Sequence, residues 1–339
     1  MESIQLSHGA GGEAMWELIK VLILPAFKLK RIEDGVGLED LDDASTIPLG
    51  DLEVVISIDS HTVEPLFFPG GDIGRLAVAG SVNDVAVMGA KPLAIVDALV
   101  VEEGFPVKDL ERIIDSMSKT AEEAGVALLG GDFKVMPRGK VDGVVVTTAA
   151  IGVAPRGRTL KDNRLQAGDV IIVSGPIGDH GIAIASVREG ISFETPLTSD
   201  VMPIADLMEE ALKAGRVRTA KDPTRGGLAA TLNELASKAG VSIWIREEDI
   251  PIRPEVRAAA EMLGLDPLEL SCEGRVVLAV DKEDADRVLQ ALRRHPKGRE
   301  ASIIGEVKAE RPGYVVMETL VGGLRVVNMP IGEPTPRVC

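Results

Sequence analysis

Ala77-Val78-Ala79-Gly80-Ser81-Val82-Asn83-Asp84-Val85-Ala86-Val87-Met88 is the stretch on which the reading of this chain turns. Ten of its twelve residues are apolar or small, so the segment reads as part of an otherwise apolar, small-residue helix over Ile73–Met88. Asn83 and Asp84 interrupt that pattern. A carboxylate in such a helix is costly to bury unless it is paired or metal-bound.

Working outward, other acidic residues stand where strands or glycine turns end. Glu53–Ile58 reads as a buried strand ending at Asp59, and Val126–Leu129 as a strand ending at Gly130-Gly131-Asp132. Asp42-Asp43 lies just upstream. Strand ends in α/β layers commonly face ligands, and paired glycines let backbone approach a phosphate. Each aspartate alone is also what a cap or turn uses. Together they suggest Mg²⁺ and a nucleotide, because Mg²⁺ takes a few carboxylates plus phosphate oxygens.

Two further segments suit phosphate. Ser7-His8-Gly9-Ala10-Gly11-Gly12 offers backbone N–H groups. Thr224-Arg225-Gly226-Gly227 opens a helix over Leu228–Ala239, where N–H groups and the dipole favour an anion. There is no Gly-x-x-x-x-Gly-Lys-Ser/Thr and no Gly-x-Gly-x-x-Gly after a strand, so the common nucleotide loops are excluded.

The remaining pattern alternates strands (Leu93–Val101, Val141–Val153, Val170–Ser174, Val241–Ile245, Arg275–Val280, Ile303–Val307, Tyr314–Glu318) with helices (Glu13–Leu24, Val107–Ala124, Gly181–Glu189, Pro203–Ala214, Pro254–Leu263, Lys282–Arg293). Pro, Gly, Arg and Lys cluster over Ala154–Gly168, which predicts a domain boundary. Both halves read as mixed α/β layers, and the alternation alone also permits a doubly wound parallel sheet. The 339 residues fit two domains, with 45% hydrophobic content resting on aliphatics because aromatics are 3%.

A net charge of -16 argues against a nucleic-acid surface. Two cysteines fit a reducing cytoplasmic setting. No run of about 18 uncharged apolar residues predicts a membrane span, and Met-Glu-Ser-Ile-Gln lacks the basic start of a signal peptide. Cys272 reads as an inert, partly buried thiol, and Trp16 and Trp244 as core. His180 and His295 have no context that selects them. The other cysteine, Cys339, closes the Pro-rich stretch Pro334-Thr335-Pro336-Arg337-Val338-Cys339. Such a tail favours an extended path, spanning roughly 28 Å from Ile331 at about 3.1 Å per residue. It could carry a reactive sulfur between an active site and a partner.

These motifs together resemble the ATP-binding superfamily that includes aminoimidazole ribonucleotide synthetase, selenophosphate synthetase and thiamine-monophosphate kinase. Within it, the Pro336-Arg337-Val338-Cys339 terminus resembles the HypE carbamoyl dehydratases of nickel–iron hydrogenase maturation. The match spans essentially the whole chain, through Ser7–Gly12, Asp42-Asp43-Ala44, Asp59-Ser60-His61-Thr62-Val63, Asn83–Ala86, Gly130–Asp132, Asp222–Gly227 and Glu273-Gly274-Arg275. Ser45 departs from a second Ala.

The resemblance implies an α+β fold: an N-terminal ATP-binding and dimerisation domain (1–154), a C-terminal α/β sandwich (155–330) and a mobile tail (331–339). It implies a homodimer with a shared β-barrel, and ATP with Mg²⁺ in the cleft between the domains. A HypF carbamoyltransferase would load Cys339, ATP would drive dehydration to a thiocyanate, and a HypC–HypD scaffold would receive the cyanide. Asp43, Asp59, Asp84 and Asp132 are then the metal candidates. Asn83 would orient the amide. Lys134, two residues beyond Asp132 on an extended segment, would steady phosphate or act as base, and Glu273 is a second base candidate. His8, Gly9, Gly11, Gly12, His61, Gly130, Gly131, Thr224, Gly226 and Gly227 would line the nucleotide. Another superfamily enzyme would keep the aspartates without using Cys339, and an acidic scaffold protein would use the tail without the aspartates.

Overall fold

The computed structural model describes residues 3–191, 197–332 and 338–339. The N-terminal part opens with a 3-10 turn Leu6–Gly9, then Glu13–Leu18 (α1), a π-helical turn Ile19–Ile23, and Leu24–Ala26 (α2). The expected helix Glu13–Leu24 is therefore interrupted. Pro25 has no N–H to offer the carbonyl one turn earlier, and the widened turn accommodates the loss.

Ser45–Leu49 (β1), Leu52–His61 (β2), the small ribbon Phe67–Phe68 (β3) and Gly71–Asp72 (β4), and Ile73–Val87 (α3) follow. Asp72 caps α3 by accepting from the Arg75 N–H at 2.9 Å. Then come Lys91–Glu102 (β5), Val107–Ala124 (α4), Ala127–Met136 (β6) and Val144–Pro155 (β7). The sheet order is β1-β2-β7-β5-β6, and only β5–β6 is parallel, with α4 as its crossover. This sheet is open and not a closed barrel. β6 forms one edge, with Leu128, Leu129, Phe133 and Val135 exposed.

The second half holds Val170–Val173 (β8), Asp179–Glu189 (α5), Ala205–Ala214 (α6), Val217–Lys221 (β9), Gly227–Ala239 (α7) and Ser242–Arg246 (β10). Pro254–Leu263 (α8), Val277–Val280 (β11), Ala285–Arg294 (α9), Ser302–Lys308 (β12), Val315–Glu318 (β13) and Leu324–Val327 (β14) complete it. Their seven-stranded sheet runs β14-β13-β10-β12-β8-β11-β9. β11 is buried along its whole length because α7 packs one face of the sheet, while α6 and α9 pack the other. That produces the layered α/β arrangement expected of this half.

α3 lies between the halves. It packs on β2, β5 and β7 and also meets α6 and β9 of the second half. Thirteen of its fifteen residues are buried, so its lack of a polar face follows from having no solvent side. Two strand limits differ from expectation. β2 runs on to His61 and β6 to Met136, so Asp59 and Asp132 sit inside strands rather than after them. Cross-strand pairing carries both strands past the polar residues: Asp59 pairs Thr148, and Asp132 pairs Ala98.

Candidate active site

Asp59 on β2 and Asp84 on α3 face each other across the sheet–helix contact. The Ser57 hydroxyl donates to Asp84 Oδ2 at 2.5 Å. Asp84 is held well above the usual carboxylate range, first by burial and then by the charges of Asp59, Asp222 and Asp43. Asp222, at the end of β9, is pushed up to about 6, mainly by burial, with Lys221 opposing. Glu273 is raised strongly by burial and then by Asp222, Asp200 and Asp59, and its buried Oε1 has no hydrogen-bond partner. Several carboxylates thus crowd one place that disfavours their charge.

Arg225 is the cation facing them. It is held charged chiefly by the negative charge at Cys339, then by Asp59, Glu273 and Asp84. Asp59, Ser60, His61, Gly80, Asp84, Asp222, Thr224, Arg225, Glu273 and Cys339 line a cavity of about 20 Å³. That is room for about one water. An adjoining cavity of about 300 Å³ shares Ser60, Arg225 and Cys339 and reaches Ser7, Gly9 and Ala10. The sulfur-bearing residue therefore stands in the wall between a tight acidic pocket and a wider opening.

The glycine segments explain themselves by packing. Gly11 has φ +75°, and a Cβ there would lie 2.5 Å from Arg225 Cβ. A Cβ on Gly12 would meet the Pro330 carbonyl at 2.3 Å. The Arg225 guanidinium donates to the Gly9 carbonyl at 3.1 Å, so the N-terminal glycines are laced to the Thr224–Gly227 turn. Gly226 and Gly227 both take positive φ at the start of α7.

Other expected residues stand elsewhere. Asp43 pairs with Lys221, which also lies 3.4 Å from both Asp162 and Glu234. It adjoins the pocket through this ion network, and its Oδ2 has no hydrogen-bond partner. The Asn83 side chain is engaged by backbone groups of the second half. Its amide donates to the carbonyls of Met202 and Glu273 and accepts from the Ile204 N–H, so it ties α3 to the second half and fixes the Glu273 backbone. His8 is half-buried, and its Nδ1 accepts from the Gln5 N–H at 2.8 Å.

Gly130, Gly131, Asp132 and Lys134 are on the β6 edge, apart from the pocket. Asp59, Thr148, Asp97 and Gly131 form one cross-strand row, three strand spacings wide. That is about 14 Å at about 4.8 Å per strand. Asp132 follows Gly131 and so points to the other face of the sheet. Lys134 is on Asp132's side, 3.8 Å away, as expected of an extended segment, but both are exposed, at 62% and 70%. Among the described residues, no three His, Cys, Asp or Glu side chains are arranged to hold a metal by themselves. The crowded Asp59–Asp84 pair and the unpartnered Asp43 and Glu273 oxygens nonetheless fit a divalent cation completed by phosphate oxygens.

The AIR synthase related protein N-terminal domain matches residues 41–154, and the AIR synthase related protein C-terminal domain matches residues 166–318. The chain is also 48% identical over 338 residues to the carbamoyl dehydratase HypE of Rhizobium leguminosarum bv. viciae, covering 99% of this chain and 95% of that protein. The chain belongs to the HypE family of AIR synthase related proteins. Two solved HypE structures are similar. One is a HypE–HypF complex (TM-score 0.86, 41% identity, 92% of this chain and 99% of that one). The other is HypE in complex with ATP (TM-score 0.82, 41% identity, 99% of this chain and 100% of that one).

In this HypE-family chain, residues beyond the expected set complete the pocket. Asp222 and Arg225 were visible as parts of a phosphate-type motif, but their facing Asp84 and Cys339 comes only from the fold. His180 carried no sequence signal, yet its ring lies 2.7 Å from the Val338 carbonyl and holds the tail. Cys272 is fully buried, and burial first raises its thiol well above the ordinary value. Arg275 does not pair with Glu273; it reaches Asp200 at 3.3 Å and Asp179 at 3.8 Å. Trp16 and Trp244 are half-buried, not core, each giving its indole N–H to a polar partner. The Pro334–Arg337 part of the tail lies outside the described residues.

Proposed function

We propose that this chain is an ATP-dependent carbamoyl dehydratase acting on its own Cys339. The observation that carries the reading is the placement of Cys339 at the acidic pocket of Asp59, Asp84, Asp222 and Glu273 beside Arg225. A carbamoyltransferase of the HypF kind first joins a carbamoyl carbon to the sulfur. The similarity to a HypE partnered with HypF supports that step.

The product, S–C(=O)–NH₂, must lose its oxygen and both nitrogen protons to become S–C≡N. Oxygen leaves poorly as hydroxide. Transfer of the ATP γ-phosphoryl to it lets it depart as phosphate, so thiocarbamate and ATP give thiocyanate, ADP, phosphate and one proton. ATP is the co-substrate, consistent with the similar ATP-bound HypE. Arg225 faces the charge that develops on the carbamoyl oxygen and phosphate. Glu273 is the base candidate in the pocket: its raised carboxyl gives up its own proton when a cation offsets its neighbours, and then takes one from nitrogen. Asp59 and Asp84, with Asp43 beside them, would hold Mg²⁺, which supplies charge neutralisation at phosphate oxygens.

The edge strand β6 is the second part of the reading. Leu128, Leu129, Phe133 and Val135 are exposed on an edge whose backbone is unpaired among the described residues. Such an edge is commonly covered by another strand. A second copy is the proposed cover, forming a homodimer with a shared barrel. Gly130, Gly131, Asp132 and Lys134 would join a nucleotide site through that pairing, with Lys134 as phosphate-binding cation or second base. The cyanide unit would then pass to iron on a HypC–HypD scaffold.

Oxygen tracing tests the chemistry. Carbamoyl loaded with ¹⁸O at its carbonyl should deliver the label to inorganic phosphate in proportion to thiocyanate formed. Unlabelled phosphate alongside thiocyanate would refute phosphoryl activation of that oxygen.

A further inference from the structure

His180 is fully buried at the start of α5, although nothing in the pocket chemistry uses it. Its Nε2 lies 2.7 Å from the Val338 carbonyl and its Nδ1 lies 2.7 Å from Ser199 Oγ. A carbonyl only accepts, so Nε2 carries the hydrogen and donates it. With the ring neutral, Nδ1 accepts from the Ser199 hydroxyl, which itself accepts from the Val201 N–H at 3.0 Å. Burial lowers the His180 pKa and favours that neutral form. One tautomer is therefore fixed by the chain Val201–Ser199–His180–Val338.

The ring is also clamped sterically. Phe68 meets it edge-on, with centroids 5.4 Å apart. Ser199 is held by a backbone bond from its N–H to the Pro69 carbonyl at 2.8 Å. The β3–β4 ribbon of the first half and α5 of the second thus close around one imidazole. Val338 itself is 1% exposed and packs in the apolar cluster that includes Phe68 and Ile184.

We infer that His180 is a latch that sets the depth of tail insertion by reading the Val338 carbonyl, so that the sulfur of the next residue is delivered to the acidic pocket. The inference rests on the proposed dehydratase reading and assigns His180 as a positioning residue, since it touches the tail backbone and not the reacting group. A backbone contact reads register rather than side-chain identity. The latch therefore measures one residue from carbonyl to sulfur. It also bears only on the docked state, so it opposes loading by a partner and favours dehydration.

The test uses the full chain with an active HypF-type transferase. His180→Ala should speed iodoacetamide alkylation of Cys339, read on the C-terminal peptide, by about fivefold to tenfold, the ordinary worth of one hydrogen bond. Single-turnover dehydration of pre-loaded protein should slow by at least a similar factor, while loading is not slowed. His180→Gln, whose amide can donate to the same carbonyl, should recover part of both effects. Inserting one glycine between Val338 and Cys339 leaves the core untouched and moves the sulfur by up to about 3.8 Å. That insertion should retain loading and lose dehydration, which keeps the idea testable if His180→Ala folds poorly.

Alkylation and single-turnover rates unchanged in a folded His180→Ala variant would overturn the latch, as would normal dehydration by the glycine insertion. If the wild-type protein loads but never dehydrates, the dehydratase reading fails. Alkylation alone still reports on the latch in that case.

Discussion

Gly80 has no side chain because His61 stands where one would go: a Cβ at residue 80 would lie 2.7 Å from His61 Nε2. His61 is buried in the pocket wall, and burial lowers its pKa despite Asp59 beside it. A neutral ring thus turns its Nε2 toward the helix that carries Asp84. Gly80→Ala would force the ring off α3 and toward the cavity. We expect a loss of about 1–3 kcal/mol, the usual cost of overpacking, with a parallel drop in dehydration. Chemical denaturation beside a turnover assay checks both. Unchanged stability would mean that His61 has room to rotate away.

The adjacent glycines of β6 should behave differently from one another. A Cβ on Gly131 would fall 1.7 Å from Asp97 Oδ1 and 2.8 Å from its carbonyl, whereas Gly130 has nothing within 4 Å. Gly131→Ala should therefore destabilise the fold. Gly130→Ala should leave thermal stability within about 0.5 kcal/mol, as surface changes do. If β6 contributes to a nucleotide site, Gly130→Ala should weaken ATP-dependent turnover all the same. Melting curves and nucleotide titrations of the two variants separate these effects.

Asp84→Asn should make the protein more stable and less active. The carboxylate is buried among like charges, and a neutral amide removes that repulsion while keeping a partner for Ser57. The expected outcome is a higher Tm, dehydration reduced by about 10²-fold or more, and carbamoyl loading by the transferase close to normal. Equal loss of loading in a folded variant would show that Asp84 is not confined to the ATP step.

Asp222 gives a pH signature. Its folded pKa is raised to about 6 from 3.8. The folded state therefore holds a proton that the unfolded state has released across that interval. Stability from this group is present below about pH 4 and is lost as pH rises through about 6, by about 3 kcal/mol at most. Asp179 is raised to about 6 as well, chiefly by burial and Asp200, so the wild-type slope is shared. Unfolding free energies from pH 4 to 7 should fall more steeply for wild type than for Asp222→Asn. Parallel curves would contradict the assignment.

Much of the pocket was legible in the sequence because its cause was local. Asp84 announced itself as a charge in a helix with no polar face, and the structure gives that helix no solvent side. Asp132 announced itself equally well beside its glycines, but its position depends on which face of β6 it occupies and on three neighbouring strands. Alternation within a strand is local; register across a sheet is not. Asn83 was legible as a polar residue out of place in an apolar helix, whereas its partners Met202, Ile204 and Glu273 are more than a hundred residues away. His180 left no trace because its partner is a backbone carbonyl 158 residues distant. A carbonyl has no side-chain identity for a motif to record.

Mass spectrometry of the C-terminal peptide tests the central claim most directly. The protein would be incubated with an active HypF-type transferase, carbamoyl phosphate, ATP and Mg²⁺, with a non-hydrolysable ATP analogue in a parallel dehydration step. The account predicts a carbamoyl adduct on Cys339 that loses the mass of one water only when ATP can be cleaved. An unmodified Cys339, or an adduct that loses water equally with the analogue, would contradict it.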